Sequence, residues 1–496
     1  MRAMLERWKI RVSLNILLDA LFSFPIENQV RFLRPLWLVG LYFAGIFLWG
    51  KFFSWGTAPV DFFDWAYINI PRIDFIQDAL RNGLLPLHMA DTAALHDISD
   101  RFFTLPDVIT TPQMLLLLFT TIQNYIFFDI LFHYSIGFLG LLWFRRKYNL
   151  SLAVFSALFF LFNFNGYILT HYSVGHFTWS AYFLFPLFFA LMICFANGEQ
   201  GWRWVSSVSF LLFYMVLAGS QHHFVWLLIY MGIFALVLWR RSKWIWIAIA
   251  SAGLLSAVRL LPPVLQLADY HKKAIFNAVY GYPSLAHLLY SMSFIQLPTE
   301  SPIKYFSLNL YSENYWDFNI YIGILGTGFL LYFGVYRWLQ GSGLRFRPFI
   351  LPTFVLLALA IDSTYWLVRL TDIPLFASER ATMRIAGVPL VWLLLMAAIA
   401  FQQWWDARKP GVDQKTIYFI TFGLMLIDLW SNLKVWRPVE IKPYFEPVVL
   451  NIAGNSVVNH IDLPYTNTLL IGLGLTLTTA LFLFYSSWRE VRKESL

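Results

Sequence analysis

The chain has 496 residues, of which 59% are hydrophobic, 19% aromatic and only 13% charged. So little polar surface cannot cover a water-soluble globule, and the disordered and collagen-like classes demand other compositions. A single cysteine, Cys194, excludes an internal disulfide and a multi-cysteine metal cluster. The net charge of +8 is spread in short runs between apolar segments, which is an orientation signal and not a nucleic-acid face.

A spanning helix needs about 20 mostly apolar residues, and counting such segments predicts an all-α polytopic membrane protein with about 12 transmembrane helices. Residues 1–32 carry Arg2, Arg7, Lys9 and Arg11 among Leu, Ile and Phe. They read as a basic amphipathic segment on the inner surface, without a signal-peptide cleavage pattern. The spans then fall at 33–53, 122–144, 151–170, 177–197, 204–219, 222–239, 244–265, 318–338, 348–368, 385–403, 415–432 and 467–486, within a single membrane domain of residues 33–486. Arg145-Arg146-Lys147, Arg240 to Lys243, Arg337 to Arg347, Arg408-Lys409 and the 487–496 tail share one side in this scheme. Positive-inside bias makes that side, with both termini, cytoplasmic. Loops 54–121, 266–317, 369–384 and 433–466 face outward, and loops of this length usually carry function.

In the first outer loop, Pro71 and Gly83 bracket Ile73, Ile76, Ala79 and Leu80 at helical spacing, which predicts a short amphipathic helix on the outer membrane surface. Asp61 and Asp64 precede it. They either end a helix as ordinary interfacial acids or, partly desolvated yet reachable, serve as a base. Four histidines, His171, His176, His222 and His223, occupy two outer turns. No fixed ligand spacing such as HExxH joins them, so no cofactor is expected, although a divalent metal is conceivable. Arg259 lies inside a predicted span, where it either lines a groove or neutralises a buried acid such as Asp129, Asp362 or Asp428. There is no Walker A, Rossmann or G-x-S-x-G pattern.

The stretch from Asp64 through Pro71 and Gly83 to Pro86-Leu87 resembles the first periplasmic loop of the GT-C membrane glycosyltransferases, especially the bacterial YfhO-like group, with His88 where that group usually has Trp. The likeness continues in VGHFTWSAYFLFPLFF with Gly175, His176 and Pro186, and in LAGSQHHFVW with Gly219, Gln221 and His222. It extends to AVRLLPPVLQLADYHKK with Arg259, and to YWDFNIYIGILG with Asp317, Tyr321 and Gly323. It ends in IPLFASERATMR, where Arg380 and Arg384 keep the family spacing and Thr382 replaces its Pro.

The resemblance implies a GT-C-like enzyme of the bacterial inner membrane, facing outward, that moves a sugar from a polyprenyl-phosphate carrier to an acceptor hydroxyl on a lipid, glycan or protein. Membrane lipids would surround it and no nucleic acid would bind. It singles out Asp64 as the base. Arg380 and Arg384 would hold the departing phosphate, with Lys272, Lys273 and Arg259 as further donor contacts, and Asp61, His88, His176, His222 and Asp317 would line the substrate. A lipid or solute transporter, and a non-catalytic subunit that keeps the fold, are the competing readings; the first would show inverted repeats and broken helices.

Overall fold

The computed structural model describes residues 16–23, 32–89, 101–266, 281–298, 315–341, 344–369, 379, 381–408, 410–446, 448 and 462–494. Among them the chain is all-helical apart from two isolated bridges, His88 with Arg101 and Tyr282 with Ile361. Among the described residues eight helices are long and apolar enough to cross a membrane: Leu33–Phe52, Ile122–Lys147, Leu152–Val174, Phe177–Ala196, Trp316–Gly341, Thr382–Arg408, Val412–Val435 and Leu463–Lys493. A ninth is the pair Lys243–Leu255 and Ala257–Leu265, bent by 73°. Three shorter apolar helices, Trp202–Leu217, Gln221–Val237 and Phe346–Leu359, complete the apolar set. The protein is therefore a helical, multi-pass membrane protein. The break within 348–368 comes at Ala360 to Asp362, where the Ala360 carbonyl accepts from the Tyr282 amide and the Asp362 amide donates to the Tyr282 carbonyl.

The Thr382–Arg408 helix is the axis of the bundle, since its whole apolar window is buried. Leu33–Phe52, Val412–Val435 and Leu463–Lys493 are perimeter helices with 22%, 28% and 22% buried. Lipid is as apolar as leucine, so helices meet here through close packing and not through hydrophobic exclusion. Gly334 shows how: a methyl group on it would press on the Leu393 carbonyl of the axial helix. Aromatic rings fill the interior, with Phe349 stacked on Trp392 at 4.1 Å. Trp49, Trp65, Trp226, Trp392 and Trp436 are fully buried, so these indoles pack the core and do not form an interfacial belt.

Two ends of the bundle are marked by polar contacts. At one, the Ser151 amide donates to Gln402 Oε1 at 2.9 Å and the Arg203 amide to Glu490 at 2.8 Å. Helix 16–22 joins that end, where Lys415 donates to Asp19 and Phe22 stacks on Trp405 at 4.8 Å. At the other, the Thr170 hydroxyl donates to the Trp316 carbonyl at 3.0 Å and the Ser173 hydroxyl to that of Trp436.

The predicted helix of the first loop forms over Ile70–Arg81, with Pro71 in its first turn and Gly83 just beyond it at φ +69°. It does not lie open on a membrane surface. Ile70, Ile73, Phe75, Ile76 and Ala79 are buried, and so are the polar Arg72 and Gln77. Arg72 is neutralised by Asp107 at 2.7 Å, and Gln77 donates to the carbonyls of Leu117 and Thr120, both at 2.9 Å. A guanidinium and an amide on the second face need protein partners and not lipid, so the loop folds over its own helix.

Candidate functional site

Asp64 is carried on an irregular piece of backbone. Phe63, just before it, has φ +43°, a region that a bulky residue enters only under constraint, and Trp65–Asn69 winds as a π-helix. The turn is pinned against the segment that carries His176. Asn69 Nδ2 donates to the Asp64 carbonyl at 3.1 Å and to that of Gly175 at 2.5 Å, and the Trp65 indole donates to Ser173 at 3.2 Å. Gly175 ends the Gly166–Val174 helix at φ +100°, where a Cβ would collide with the Trp65 backbone nitrogen and approach the Asp64 carbonyl carbon. Only glycine lets these two backbones come so close.

This packing brings five residues singled out in the sequence, Asp64, His171, His176, Asp317 and Arg384, into one chain of contacts. Asp64 Oδ2 lies 3.0 Å from His176 Nε2. His176 Nδ1 is 2.5 Å from His171 Nδ1 and 4.0 Å from Asp317 Oδ1. Asp317 accepts a two-pronged fork from Arg384, 2.9 Å from Nε and 2.8 Å from Nη2, the geometry in which guanidinium binds carboxylate best. Asp317 is 2% exposed and Arg384 12%, whereas Asp64, at 23%, is the member open to solvent. The fork uses Nε and Nη2, and among the described residues Nη1 of Arg384 makes no hydrogen bond.

Trp179 is the hub. Its ring stands 4.4 Å from His171, 5.1 Å from His176, 5.8 Å from His222 and 5.2 Å from His223, and the Arg384 guanidinium lies over it at 5.3 Å. All four imidazoles therefore meet around one indole. His222 reaches Glu379 at 3.0 Å, a carboxylate that also accepts from the Trp226 indole at 3.3 Å. Burial acts to raise the Glu379 carboxyl, but His222 and then Arg384 outweigh it and hold it below its ordinary value. Glu379 and Trp179 escaped the sequence reading. The signal for Glu379 was its place beside Arg380 in a short polar stretch between apolar segments.

Other expected residues stand elsewhere. Asp61 is half exposed and paired with Lys442 at 2.6 Å. His88 is buried beside the Tyr465 ring at 5.2 Å, in a group completed by Arg101 and Asp462, which pair at 2.5 Å. Arg259 neither lines a groove nor neutralises a span acid. Its Nη1 donates to the Phe103 carbonyl at 3.0 Å and its Nη2 to those of Leu105 and Val108 at 2.7 and 3.3 Å, so it ties the bent span to the first loop. Asp129 takes His133 at 3.1 Å, and Asp428 accepts from the Tyr321 hydroxyl. Arg380, Lys272 and Lys273 lie outside the described residues.

A cavity of about 740 Å³ is lined by Lys51, Lys434, Arg437 and Glu440 together with Phe47 and Trp430. Phe47 and Trp430 also line a second, apolar cavity of about 270 Å³, with Leu48, Phe164 and Leu433, between the two perimeter helices Leu33–Phe52 and Val412–Val435. Phe47 and Trp430 thus separate a basic mouth from an apolar slot that adjoins it. The cluster residues do not line it; Trp436 connects the two, following cavity-lining Val435 while its carbonyl accepts from Ser173, two residues before Gly175. Searches against protein-family models, curated proteins and solved structures give no match to this chain.

Proposed function

We propose that the protein is a GT-C-like glycosyltransferase with twelve crossings, the three shorter apolar helices and the bent pair included, which uses a polyprenyl-phosphate sugar at the outer face of a bacterial inner membrane. The observation that carries this reading is that Asp64 and Arg384, 320 positions apart in sequence order, belong to one contact chain through His176 and Asp317. Sugar transfer from a lipid phosphate needs a base at the acceptor oxygen, positive charge at the leaving phosphate and room for an apolar tail. Asp64 supplies the first. Arg384, with Nη1 uncommitted, supports the second, and the basic mouth above the apolar slot suits a phosphate head with its prenyl chain.

In this reading the acceptor hydroxyl gives its proton to Asp64 as its oxygen attacks the anomeric carbon. The bond from that carbon to the phosphate oxygen breaks with its electron pair leaving on the phosphate, which Arg384 stabilises, and the configuration inverts. A transporter would need an open midplane path where its helices break. At the bend of the helix pair Arg259 is buried, and its Nη1 and Nη2 donate to three carbonyls of the first loop, so protein and not an open path occupies that break. Purified protein in liposomes, supplied with radiolabelled polyprenyl-phosphate hexoses and a membrane extract as acceptor, is expected to move label from donor to acceptor. Movement of intact lipid across the bilayer without transfer would favour the transporter.

A further inference from the structure

We infer that His171, His176 and Asp317 form a binding site for one divalent transition-metal ion, zinc-like in its preferences, with Asp64 as the outer partner of His176. The inference stands independently of sugar transfer and goes against the expectation from sequence spacing.

The tautomer of His176 follows from its neighbour. A carboxylate only accepts, so the Nε2 that faces Asp64 at 3.0 Å carries the proton, and neutral His176 then presents a bare lone pair at Nδ1. That lone pair faces His171 Nδ1 at 2.5 Å, and Asp317 Oδ1 lies 3.6 Å from the one nitrogen and 4.0 Å from the other. A triangle with these sides has its centre roughly 2.0 Å from every corner, the bond length of zinc to imidazole nitrogen and carboxylate oxygen, and a slight parting of the two rings would open the short N–N side to the tetrahedral angle. Three ligands of this kind leave a fourth position open for water or another oxygen. The arrangement also has the outer shell that such sites use, because a carboxylate on the far nitrogen of a ligating histidine fixes its ring and raises its basicity.

Charge points the same way. Among the described residues the cluster holds three carboxylates, Asp64, Asp317 and Glu379, against the single guanidinium of Arg384. Carboxylates thus outnumber the described guanidinium in a largely enclosed site, an excess that a divalent cation would help to balance. Arg384 does not close the site, since a carboxylate oxygen has two lone pairs and the fork takes one from each oxygen. Two nitrogens and one oxygen favour zinc or cobalt over magnesium or calcium, which prefer all-oxygen shells.

The test is metal content and binding. Tag-free protein in detergent, stripped with a chelator and checked for an unchanged melting profile, is titrated with Co²⁺ and with Zn²⁺. One equivalent is expected, with a visible Co²⁺ absorption band displaced by Zn²⁺. The Asp64→Asn variant, at the most exposed position of the cluster, is expected to keep the stoichiometry and bind about 10- to 100-fold more weakly. The double variant His171→Asn/His176→Gln should bind none. Stripped wild-type protein that keeps its fold yet binds neither ion would overturn the proposal and leave a proton between the two nitrogens. Undiminished binding in a folded double variant would overturn it too. Transfer activity that survives removal of a bound ion would leave the site standing and detach it from the reaction, so the two readings fail separately.

Discussion

Single side chains carry the chemistry, and their roles separate by what each touches. Arg384 is held by Asp317 in a fork, so replacing it with lysine keeps the charge while losing the planar pairing. Arg384→Lys is expected to lower kcat/KM about 10- to 100-fold while the protein still folds, and Arg384→Ala to lower it further. Steady-state kinetics on both variants checks this; equal activity of the lysine variant and wild type would count against phosphate stabilisation by the fork. The ion pair of Arg72 with Asp107 is structural. Burial acts to raise the Asp107 carboxyl, but the Arg72 guanidinium paired with it more than offsets that and holds it below the ordinary aspartate value. A carboxyl depressed in the folded state adds stability that is present above its unfolded pKa and is lost as pH falls through the folded one. Asp107→Asn, which strands Arg72, is expected to cost about 3 kcal/mol near pH 7, with the gap to wild type closing below about pH 4. Thermal melts across pH measure it.

At the scale of elements, the site depends on how closely two irregular segments approach. Gly175→Ala would push the Gly166–Val174 helix end off the Trp65 backbone, and a Cβ at φ +100° is strained as well. A loss of about 2 kcal/mol and a weaker Asp64–His176 contact are expected, visible as a lower Tm together with reduced activity; an unaffected Tm would show that the turn is looser than its packing implies. This is also where the sequence was most and least readable. Uninterrupted apolar stretches of about 20 residues announce spans, so most limits were legible to within a few residues. The turns at Gly175-His176 and the Pro71-to-Gly83 helix were legible because glycine and proline punctuate them. The partners of Arg259 were not, since it bonds to the carbonyls of Phe103, Leu105 and Val108, and a carbonyl belongs to every residue and leaves no mark in the sequence. The burial of the first-loop helix was hidden for a related reason. Its second face is polar, and polarity alone does not distinguish water from an enclosed partner such as Asp107.

Over the whole molecule, Asp317 and Arg384 stand at the starts of two long helices, Trp316–Gly341 and Thr382–Arg408, whose far ends carry arginines. Arg337 lies near the end of the first and Arg408 in the last turn of the second, Arg145 in the last turn of Ile122–Lys147, and the proposed orientation sets these arginines toward the cytoplasm. Single cysteines placed at Asp78 and at Arg146 in a Cys194→Ala background are expected to react with a membrane-impermeant maleimide from opposite sides of intact cells, the first from outside. Labelling of Arg146→Cys from outside would invert the topology and remove the site from the outer leaflet. Everything functional then rests on Asp64 acting as a base within the same assembly as Arg384. The most direct measurement is initial-rate transfer from a radiolabelled polyprenyl-phosphate sugar by wild-type protein, Asp64→Asn and Asp64→Glu, each with matched insertion and melting. The account predicts a loss of about 10²- to 10⁴-fold in the asparagine variant and partial recovery with glutamate. Full activity in the asparagine variant would contradict it.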